Sequence, residues 1–434
     1  MKNKLLGVIS LGCSKNRLDT EGMLYALLQN GFEITEELDQ ADLLIVNTCS
    51  FIQSAKEESI EAILQAGEIK SQKEGCKLLV TGCLPERYRE ELARELPEVD
   101  AFVGVNQYGK IVDIVNRMFE GERIAEFVER AALPLGRVRT TPKHLAYVRI
   151  AEGCDHACAY CAIPSIRGPY RSRPMEEIIE ECKHLIADGA MEIVLIAQDT
   201  SYYGKDLYGG FCLSKLLQKI DTLGAQWVRI LYAYPERITD ELLSTIVKSK
   251  SILPYLDLPL QHVNDEILRA MGRPTTQKKL RELLTKIHDT GKEFTLRTTF
   301  ITGFPGETEE QFEELTDFVK QGYFAHVGAF AYSKEEGTRA AKMPNQIPKR
   351  TKEGRRGQLL LEKAVGKIKQ VIIEEYDEDI CMYVGRAESQ APEVDGVTYI
   401  SSPVPLILGQ IVPCKIVQAN EYDWMGEAIN DVSQ

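Results

Sequence analysis

Strand-like and helix-like segments alternate twice along this 434-residue chain, and that alternation restricts its fold more than any other feature. In the first series, apolar runs at 5–11, 43–47, 78–81 and 101–103 read as strands, and the stretches 16–29, 56–69 and 87–96 between them read as helices. Strand, helix and strand in regular succession imply a parallel sheet, because parallel neighbours need a long crossover and a helix supplies it. A second series places candidate strands at 146–150, 193–197, 228–231, 255–258, 295–301 and 327–330, six repeats that suit a partial barrel. Between the two series, residues 128–143 lose their periodicity in Ala-Leu-Pro-Leu-Gly-Arg and Thr-Thr-Pro-Lys, which reads as a linker. After Ala331 come a basic helical stretch, 349–369, and short strands broken by Gly385, Gly396 and Gly409, which read as a small β-barrel. The expected fold class is therefore α/β, with an N-terminal parallel-sheet domain over 1–140, a central partial (β/α)6 barrel over 141–366 and a small antiparallel β-barrel over 367–434.

No segment approaches the ~20 apolar residues of a membrane span. The opening apolar run is interrupted by Gly7 and Ser10 and reads as a first strand rather than a leader. Eleven cysteines without a secretory signal point to thiolate chemistry in a reducing, cytoplasmic compartment and away from a disulfide framework. Their arrangement carries most of the functional information.

Cys154, Cys158 and Cys161 lie at i, i+4 and i+7, directly after the predicted strand 146–150. Three thiolates at this spacing can bind three irons of a [4Fe-4S] cube and leave the fourth iron open for reaction. Zinc is the alternative, with His156 as a possible fourth ligand, although zinc favours CxxC pairs. Tyr160, just before the third cysteine, occupies the aromatic position of the radical-SAM pattern CxxxCxφC, which this loop resembles. The resemblance implies that S-adenosylmethionine chelates the open iron and is cleaved reductively to a 5′-deoxyadenosyl radical. Tyr160, Gln198 and Arg297 are then candidate cofactor contacts, the last two because functional groups gather towards the C-terminal ends of barrel strands. Asp199 and the loop 303–308, Gly-Phe-Pro-Gly-Glu-Thr, are placed likewise, though that loop reads equally well as a turn capping the helix near Thr308. Gln261 and His262 read as structural hydrogen-bonding residues.

In the first series Cys13, Cys49 and Cys83 each fall within two residues of the C-terminal end of a predicted strand. Ligand sites of open α/β sheets lie outside that edge, so three thiolates far apart in sequence can meet there. A lone cysteine would read as an ordinary buried residue. The shared offset of three favours a second [4Fe-4S] cluster. Cys76 precedes the strand 78–81 and should lie at the opposite edge, while Cys182, Cys212, Cys381 and Cys414 read as packing residues.

The order of these motifs, with Ser10-Leu11-Gly12-Cys13, Val46-Asn47-Thr48-Cys49, Thr81-Gly82-Cys83, Gly153-Cys154-Asp155-His156-Ala157-Cys158, Arg167-Gly168 and Asp257-Leu258-Pro259-Leu260-Gln261-His262, resembles the methylthiotransferase family over essentially the whole chain. That resemblance implies a radical-SAM barrel followed by a TRAM-like C-terminal barrel. It also implies a division of labour: the Cys154/Cys158/Cys161 cluster generates the radical, while the Cys13/Cys49/Cys83 cluster carries sulfur methylated by a second S-adenosylmethionine. A flavodoxin- or ferredoxin-like electron donor is expected with it. The sequence assigns no catalytic acid or base.

Two branches of the family differ in substrate, one modifying an adenosine of transfer RNA and the other the β-carbon of an aspartate in a small-subunit ribosomal protein, protein twelve. The segments Cys161-Ala162-Ile163-Pro164-Ser165-Ile166-Arg167-Gly168, Ala197-Gln198-Asp199-Thr200 and Gly385-Arg386-Ala387-Glu388 resemble the protein-modifying branch. Charge argues the same way. Residues 370–434 hold 12 Asp/Glu against Arg386 and Lys415, so this tail carries −10 of the chain's −13. A phosphate backbone is bound through Lys and Arg, so an acidic module repels transfer RNA and attracts a basic ribosomal protein. The basic stretch 349–369 reads as a solvated linker. A non-catalytic iron-sulfur or zinc scaffold is the remaining alternative of a different class.

Overall fold

The computed structural model describes residues 4–105, 107–127, 136–359, 366–419 and 423–429. Their contacts divide into two compact units. One comprises Met1–Thr140, Glu152–Arg171 and Ser333–Ala341, and the other Thr141–Ala151, Ser172–Tyr332 and Lys342–Gln434. Part of the expected linker, residues 128–135, lies outside the described residues.

The first unit is built on a six-stranded, all-parallel sheet of β1 (Lys4–Ser10), β2 (Phe32–Ile34), β3 (Leu43–Thr48), β4 (Lys77–Gly82), β5 (Ala101–Val103) and β6 (Ile124–Glu126), in the order β2-β1-β3-β4-β5-β6. Helices cover both faces, which explains why β3 opens on the apolar run Leu43–Val46 and why all six of its residues are buried. Leu43 and Ile45 pack with Met23, Leu24 and Leu27 of helix Ser14–Leu28 and with Ile114 and Met118 of helix Ile111–Phe119. Leu44 and Val46 turn to the other face, against Ile63 and Ala66 of helix Gln53–Ser71 and Leu92 of helix Cys83–Glu95. The chain reverses direction across the sheet between β1 and β3, and the crevice at such a switch point is where open α/β sheets bind ligands.

In the second unit, β7 (Leu145–Arg149) precedes the two-residue strands β8 (Ala151–Glu152) and β9 (Arg171–Ser172) in the chain. The barrel strands that follow are β10 (Glu192–Ile196), β11 (Trp227–Ile230), β12 (Tyr255–Asp257), β13 (Thr295–Thr302) and β14 (His326–Ala331). They form two parallel three-stranded sheets, β11-β10-β7 and β12-β13-β14, joined by a parallel bridge between Val228 and Ile252. All six expected barrel strands are therefore present, arranged as an open barrel.

The last module is a closed barrel of β15 (Ile368–Asp377), β16 (Met382–Ala387), β17 (Thr398–Ser401), β18 (Ile411–Ala419) and β19 (Trp424–Ala428), around Val371, Ile373, Ile400, Val412 and Cys414. One pairing, β17 with β19, is parallel; the others are antiparallel. No helix among the described residues is long and apolar enough to cross a membrane.

Two expectations are corrected. The basic stretch 349–369 is not one helix: it is helical over Lys349–Gly357, residues 360–365 lie outside the described residues, and Ile368 and Lys369 open β15. The β-branched run from Ile368 through Val371, Ile372 and Ile373 suits a strand. Nor is this helix wholly solvated, since Arg355 is buried with Nη1 2.6 Å from Glu307 Oε1. Cys381 is not a packing residue, being exposed at φ 54° in the turn between β15 and β16.

Candidate metal centre

Cys13, Cys49 and Cys83 follow the C-terminal ends of β1, β3 and β4, three neighbouring strands around the switch point. Two of them sit behind glycines at positive φ, where any side chain would be strained. Gly12 has φ +91°, and a Cβ there would lie 2.9 Å from Cys49 Cβ. Gly82 has φ +100°, and a Cβ there would lie 2.4 Å from the Thr48 carbonyl oxygen. The close approach of these loops thus depends on absent side chains.

Asn16, in the first turn of helix Ser14–Leu28, ties the three loops together. Its Nδ2 donates to the carbonyls of Leu11 at 3.1 Å and Thr48 at 2.8 Å, and its Oδ1 lies 3.7 Å from Cys83 Sγ. Asn47 returns the contact, donating to the Asn16 carbonyl at 2.8 Å. Ser59 Oγ bridges the Cys49 backbone, accepting from its N–H at 3.0 Å and donating to its carbonyl at 2.9 Å.

Burial pushes the Cys83 thiol up to about 12, against the opposing pull of the Arg167 guanidinium, whose Nη2 lies 3.5 Å from the sulfur. Burial also raises Cys49, and the neighbouring Cys13 adds to the effect. Such a crowded set, with Cys83 buried, Cys49 half-buried and Cys13 exposed, ionises when cations share the site, the condition an iron-sulfur cluster meets. Donor type, strand-end placement and glycine cradle therefore fit a three-cysteine cluster. Among the described residues no three Cys, His, Asp or Glu side chains converge to hold a single metal ion. A cube does not require that, because each cysteine takes a different iron.

The second set lies in the loop before helix Ile163–Arg167, within the same compact unit. The Cys154 N–H donates to the Gly168 carbonyl at 3.1 Å and the Cys161 N–H to the Cys158 carbonyl at 3.2 Å, closing the loop on itself. The Ile163 N–H points at Cys161 Sγ, 3.4 Å away, and favours the thiolate. Burial outweighs it and pushes Cys161 up to about 12, with Cys158 and Cys154 adding to the rise. Here too a thiolate-only set beside backbone N–H donors fits a cluster. Tyr160 is half-buried within this loop.

The other candidates divide. Gln198, after β10, is half-buried. Arg297 is committed to protein partners: Nε lies 3.1 Å from Asp395 Oδ1, and Nη1 is 3.0 Å from both Asp257 Oδ1 and Thr299 Oγ1. Its geometry fastens the Gly385–Gly396 region of the last module to the barrel strands. Asp199 caps its own turn, accepting from Ser201 N at 3.0 Å, and pairs with Arg237. In the 303–308 loop, Glu307 Oε2 accepts from Gly303 N at 2.9 Å, while Thr308 and Gln311 form a capping box on helix Glu309–Lys320, so the loop is a built turn. His262 is fully buried, accepts from Asn264 N at 3.0 Å, and is held down to about 3 by burial and the nearby Arg355 charge. Cys76, as expected, lies before β4 at the opposite edge.

Asn16 and Arg167 are the residues that sequence reasoning passed over as site residues. Asn16 reads as part of a helix start, and Arg167 as the end of a motif. Their partners lie tens of residues away and become apparent only in three dimensions.

Three family models match the chain in order: the uncharacterized protein family UPF0004 over residues 6–104, the radical SAM superfamily over 148–319 and the TRAM domain over 365–429. Among solved structures, the chain is similar to the radical S-adenosylmethionine methyltransferase TsrM from Kitasatospora setae with tryptophan and a cofactor analogue bound, at TM-score 0.57 and 14% identity over 75% of this chain and 72% of that one. It is also similar to the cobalamin-dependent radical enzyme OxsB, at TM-score 0.53 and 12% identity over 82% of this chain and 55% of that one. At those identities the likeness is one of fold. Together with the cysteine loop, these matches define a radical SAM enzyme, which works with an iron-sulfur cluster and S-adenosylmethionine.

Curated relatives narrow the class. Proteins called ribosomal protein uS12 methylthiotransferase RimO are 46% identical in Desulforamulus reducens, over 97% of this chain and 99% of the relative, and 44% identical in a Thermoanaerobacter species, over 98% and 100%. The relative of the same name from Acetivibrio thermocellus is 42% identical over the full length of both chains. This chain belongs to the RimO family of methylthiotransferases.

Proposed function

We propose that this enzyme attaches a methylthio group to the β-carbon of an aspartate in ribosomal protein uS12, using two three-cysteine [4Fe-4S] clusters with different duties. The observation that carries the reading is the pair of cysteine triplets within one compact unit, one at the sheet's switch point and one in the CxxxCxxC loop. Bound in that loop, a cluster with an open iron supplies one-electron cleavage of S-adenosylmethionine.

The chain's own residues supply the rest. Cys154, Cys158 and Cys161 hold the radical-forming cluster, with the Ile163 N–H on the third sulfur. Tyr160, Gln198 and Arg297 are the side chains proposed to line the S-adenosylmethionine site. Cys13, Cys49 and Cys83 hold the sulfur-carrying cluster, in loops whose spacing Asn16 fixes. The division of duties corresponds to domains at 1–140, 141–366 and 367–434, the last recruiting substrate. A flavodoxin- or ferredoxin-like protein delivers electrons, and the reaction takes place in the cytoplasm.

Preference for a basic protein over transfer RNA rests on the last module. Of its four basic side chains Arg386 is buried in ion pairs and Lys369 is half-buried, which leaves Lys367 and Lys415 exposed among the described residues of 367–429. Glu375, Glu378, Asp379, Glu393 and Glu427 are exposed on the same module. Screening over about 8 Å at physiological salt confines this attraction to local contacts.

The test is anaerobic reconstitution, followed by incubation with reductant, S-adenosylmethionine, purified uS12 and unmodified transfer RNA, both products being read by mass spectrometry. A methylthio mass gain on an aspartate peptide of uS12 is expected. The gain on adenosine, with uS12 unchanged, overturns the substrate assignment.

A further inference from the structure

Arg167 is the last residue of the short helix that begins two residues after Cys161, and it is buried. Its guanidinium is surrounded by groups from helix Ser14–Leu28, from the start of helix Cys83–Glu95 and from β8. Nη1 lies 2.7 Å from Asp19 Oδ2 and 3.5 Å from Glu152 Oε2, and Nη2 lies 2.5 Å from Asn16 Oδ1 and 3.5 Å from Cys83 Sγ. Tyr108 Oη donates to the same Asp19 oxygen at 3.3 Å. Arg167 thus reaches the asparagine that spaces the three N-terminal loops and the sulfur of one of their cysteines.

The backbone of the next residue, Gly168, belongs to the other triplet. Gly168 N donates to the Pro164 carbonyl at 3.1 Å, and the Gly168 carbonyl accepts from Cys154 N at 3.1 Å, so the helix and the Cys154–Cys161 loop form one closed turn of chain. A movement of that loop moves Arg167, and a movement of Arg167 is felt at Cys83.

A second tie runs in parallel. In the segment Ser333–Ala341, Glu335 Oε2 lies 3.0 Å from Lys56 Nζ and 2.9 Å from Arg87 Nη1, and Arg87 Nη1 donates to the Ser50 carbonyl at 2.7 Å, next to Cys49. At its other end, Ala340 N donates to the Ala159 carbonyl at 2.8 Å, and Arg339 reaches the Ala157 carbonyl, both inside the CxxxCxxC loop. Two independent connections therefore hold the triplets in one body, and Arg167 is the one that touches a ligand sulfur.

We propose that Arg167 is a positioning residue that couples the two cysteine sets, donating a charge-assisted hydrogen bond to the Cys83 sulfur while its own helix carries the Cys154–Cys161 loop. The inference rests on the two-cluster reading above. Two consequences follow from elementary chemistry. A hydrogen bond to a cluster sulfur stabilises the reduced state and raises the potential. Group transfer between two centres depends on their separation, and a displacement of about 1 Å costs about 10²-fold in rate.

The experiment uses the full chain. Replacing Cys154, Cys158 and Cys161 together by Ala leaves only the N-terminal triplet, whose iron content and midpoint potential are measured after anaerobic reconstitution. Absence of iron there with Arg167 intact overturns the two-cluster reading itself, and the proposal with it. With iron present, Arg167→Lys and the charge-neutral pair Asp19→Asn/Arg167→Gln are compared in that background. The second removes the Asp19 carboxylate together with the guanidinium that pairs with it, and the first retains the charge without the fork. The expected result is a more negative midpoint, or loss of the N-terminal cluster with the melting temperature retained. In the chain with all six cysteines, the same substitutions lower the ratio of methylthio product to 5′-deoxyadenosine by about 10²-fold. An unchanged midpoint together with an unchanged ratio in Arg167→Lys and in the double variant overturns the proposal.

Discussion

Arg386→Met tests how the last module is held to the barrel. Arg386 sits on β16, is buried, and donates from Nη2 to Glu192 Oε2 at 2.8 Å, from Nε and Nη2 to Glu374 Oε1 at 3.0 and 2.9 Å, and from Nη1 to the Gln390 carbonyl at 3.0 Å. Glu192 is the first residue of β10, so these bonds cross from one module to the other. Methionine fills a similar volume and creates no large cavity, which isolates the electrostatic loss. Removing one partner of a buried ion pair costs about 3–5 kcal/mol, since the remaining charge stays uncompensated. Here each carboxylate keeps a second partner, Glu192 with Arg229 at 2.7 Å and Glu374 with His144 at 3.3 Å. The lower end, about 3 kcal/mol, is therefore expected.

The chain's two tryptophans make the assay specific, because Trp227 lies on the barrel strand β11 and Trp424 on β19 of the last module. Followed by Trp424 emission in a Trp227→Phe background, urea unfolding should begin about 1–3 M earlier in Arg386→Met, given slopes of about 1–3 kcal/mol per molar. The difference should also depend on pH. The neighbouring guanidinium groups and hydrogen bonds hold Glu192 and Glu374 below the usual carboxylate range, against the opposing effect of burial. A depressed carboxylate contributes stability above its unfolded pKa that is lost as pH falls through the folded one. The two midpoints should accordingly converge in acid. A midpoint within about 0.5 kcal/mol of the parent at neutral pH, the range of an ordinary surface change, would refute the argument.

Other outcomes follow from the same geometry. Asn16→Ala removes two buried hydrogen bonds and an acceptor for Arg167, so it should cost about 1–3 kcal/mol and lower the iron retained by the N-terminal triplet, measured by iron content per chain. Gly82→Ala places a Cβ 2.4 Å from the Thr48 carbonyl at φ +100°, and iron retention should fall with a lower melting temperature. His262, held at about 3, stays neutral while the unfolded chain takes up a proton below its ordinary value of 6.5. Stability should therefore decline as pH falls from about 6.5 towards 3, and His262→Asn should flatten that slope in pH-dependent denaturation curves.

The barrel strands are readable in the sequence because each is a short β-branched or apolar run followed by a helix, and all six appear where periodicity puts them. The N-terminal triplet is readable for a related reason: parallel strands deliver their C-terminal ends to one edge, so equal offsets in sequence become proximity in space. Short edge strands escape such reasoning. β2 and β6 have three residues each, too few for a period of two to register. Charge counting also reaches a limit at Arg386, which looks like surface in the sequence and is spent inside the fold. Long-range polar partners such as Asn16 with Thr48 and Cys83, or Arg297 with Asp395, leave no local pattern, because their spacing is set by how separate strands pack.

Comparison of Cys158→Ala with Cys49→Ala, each reconstituted and supplied with reductant, S-adenosylmethionine and uS12, addresses the division of duties most directly. Deoxyadenosine and methylthio product are measured in the same reaction. Cys158→Ala should abolish both, whereas Cys49→Ala should still release deoxyadenosine and form no methylthio product. Equal loss of deoxyadenosine in the two variants would contradict separate radical-forming and sulfur-carrying triplets.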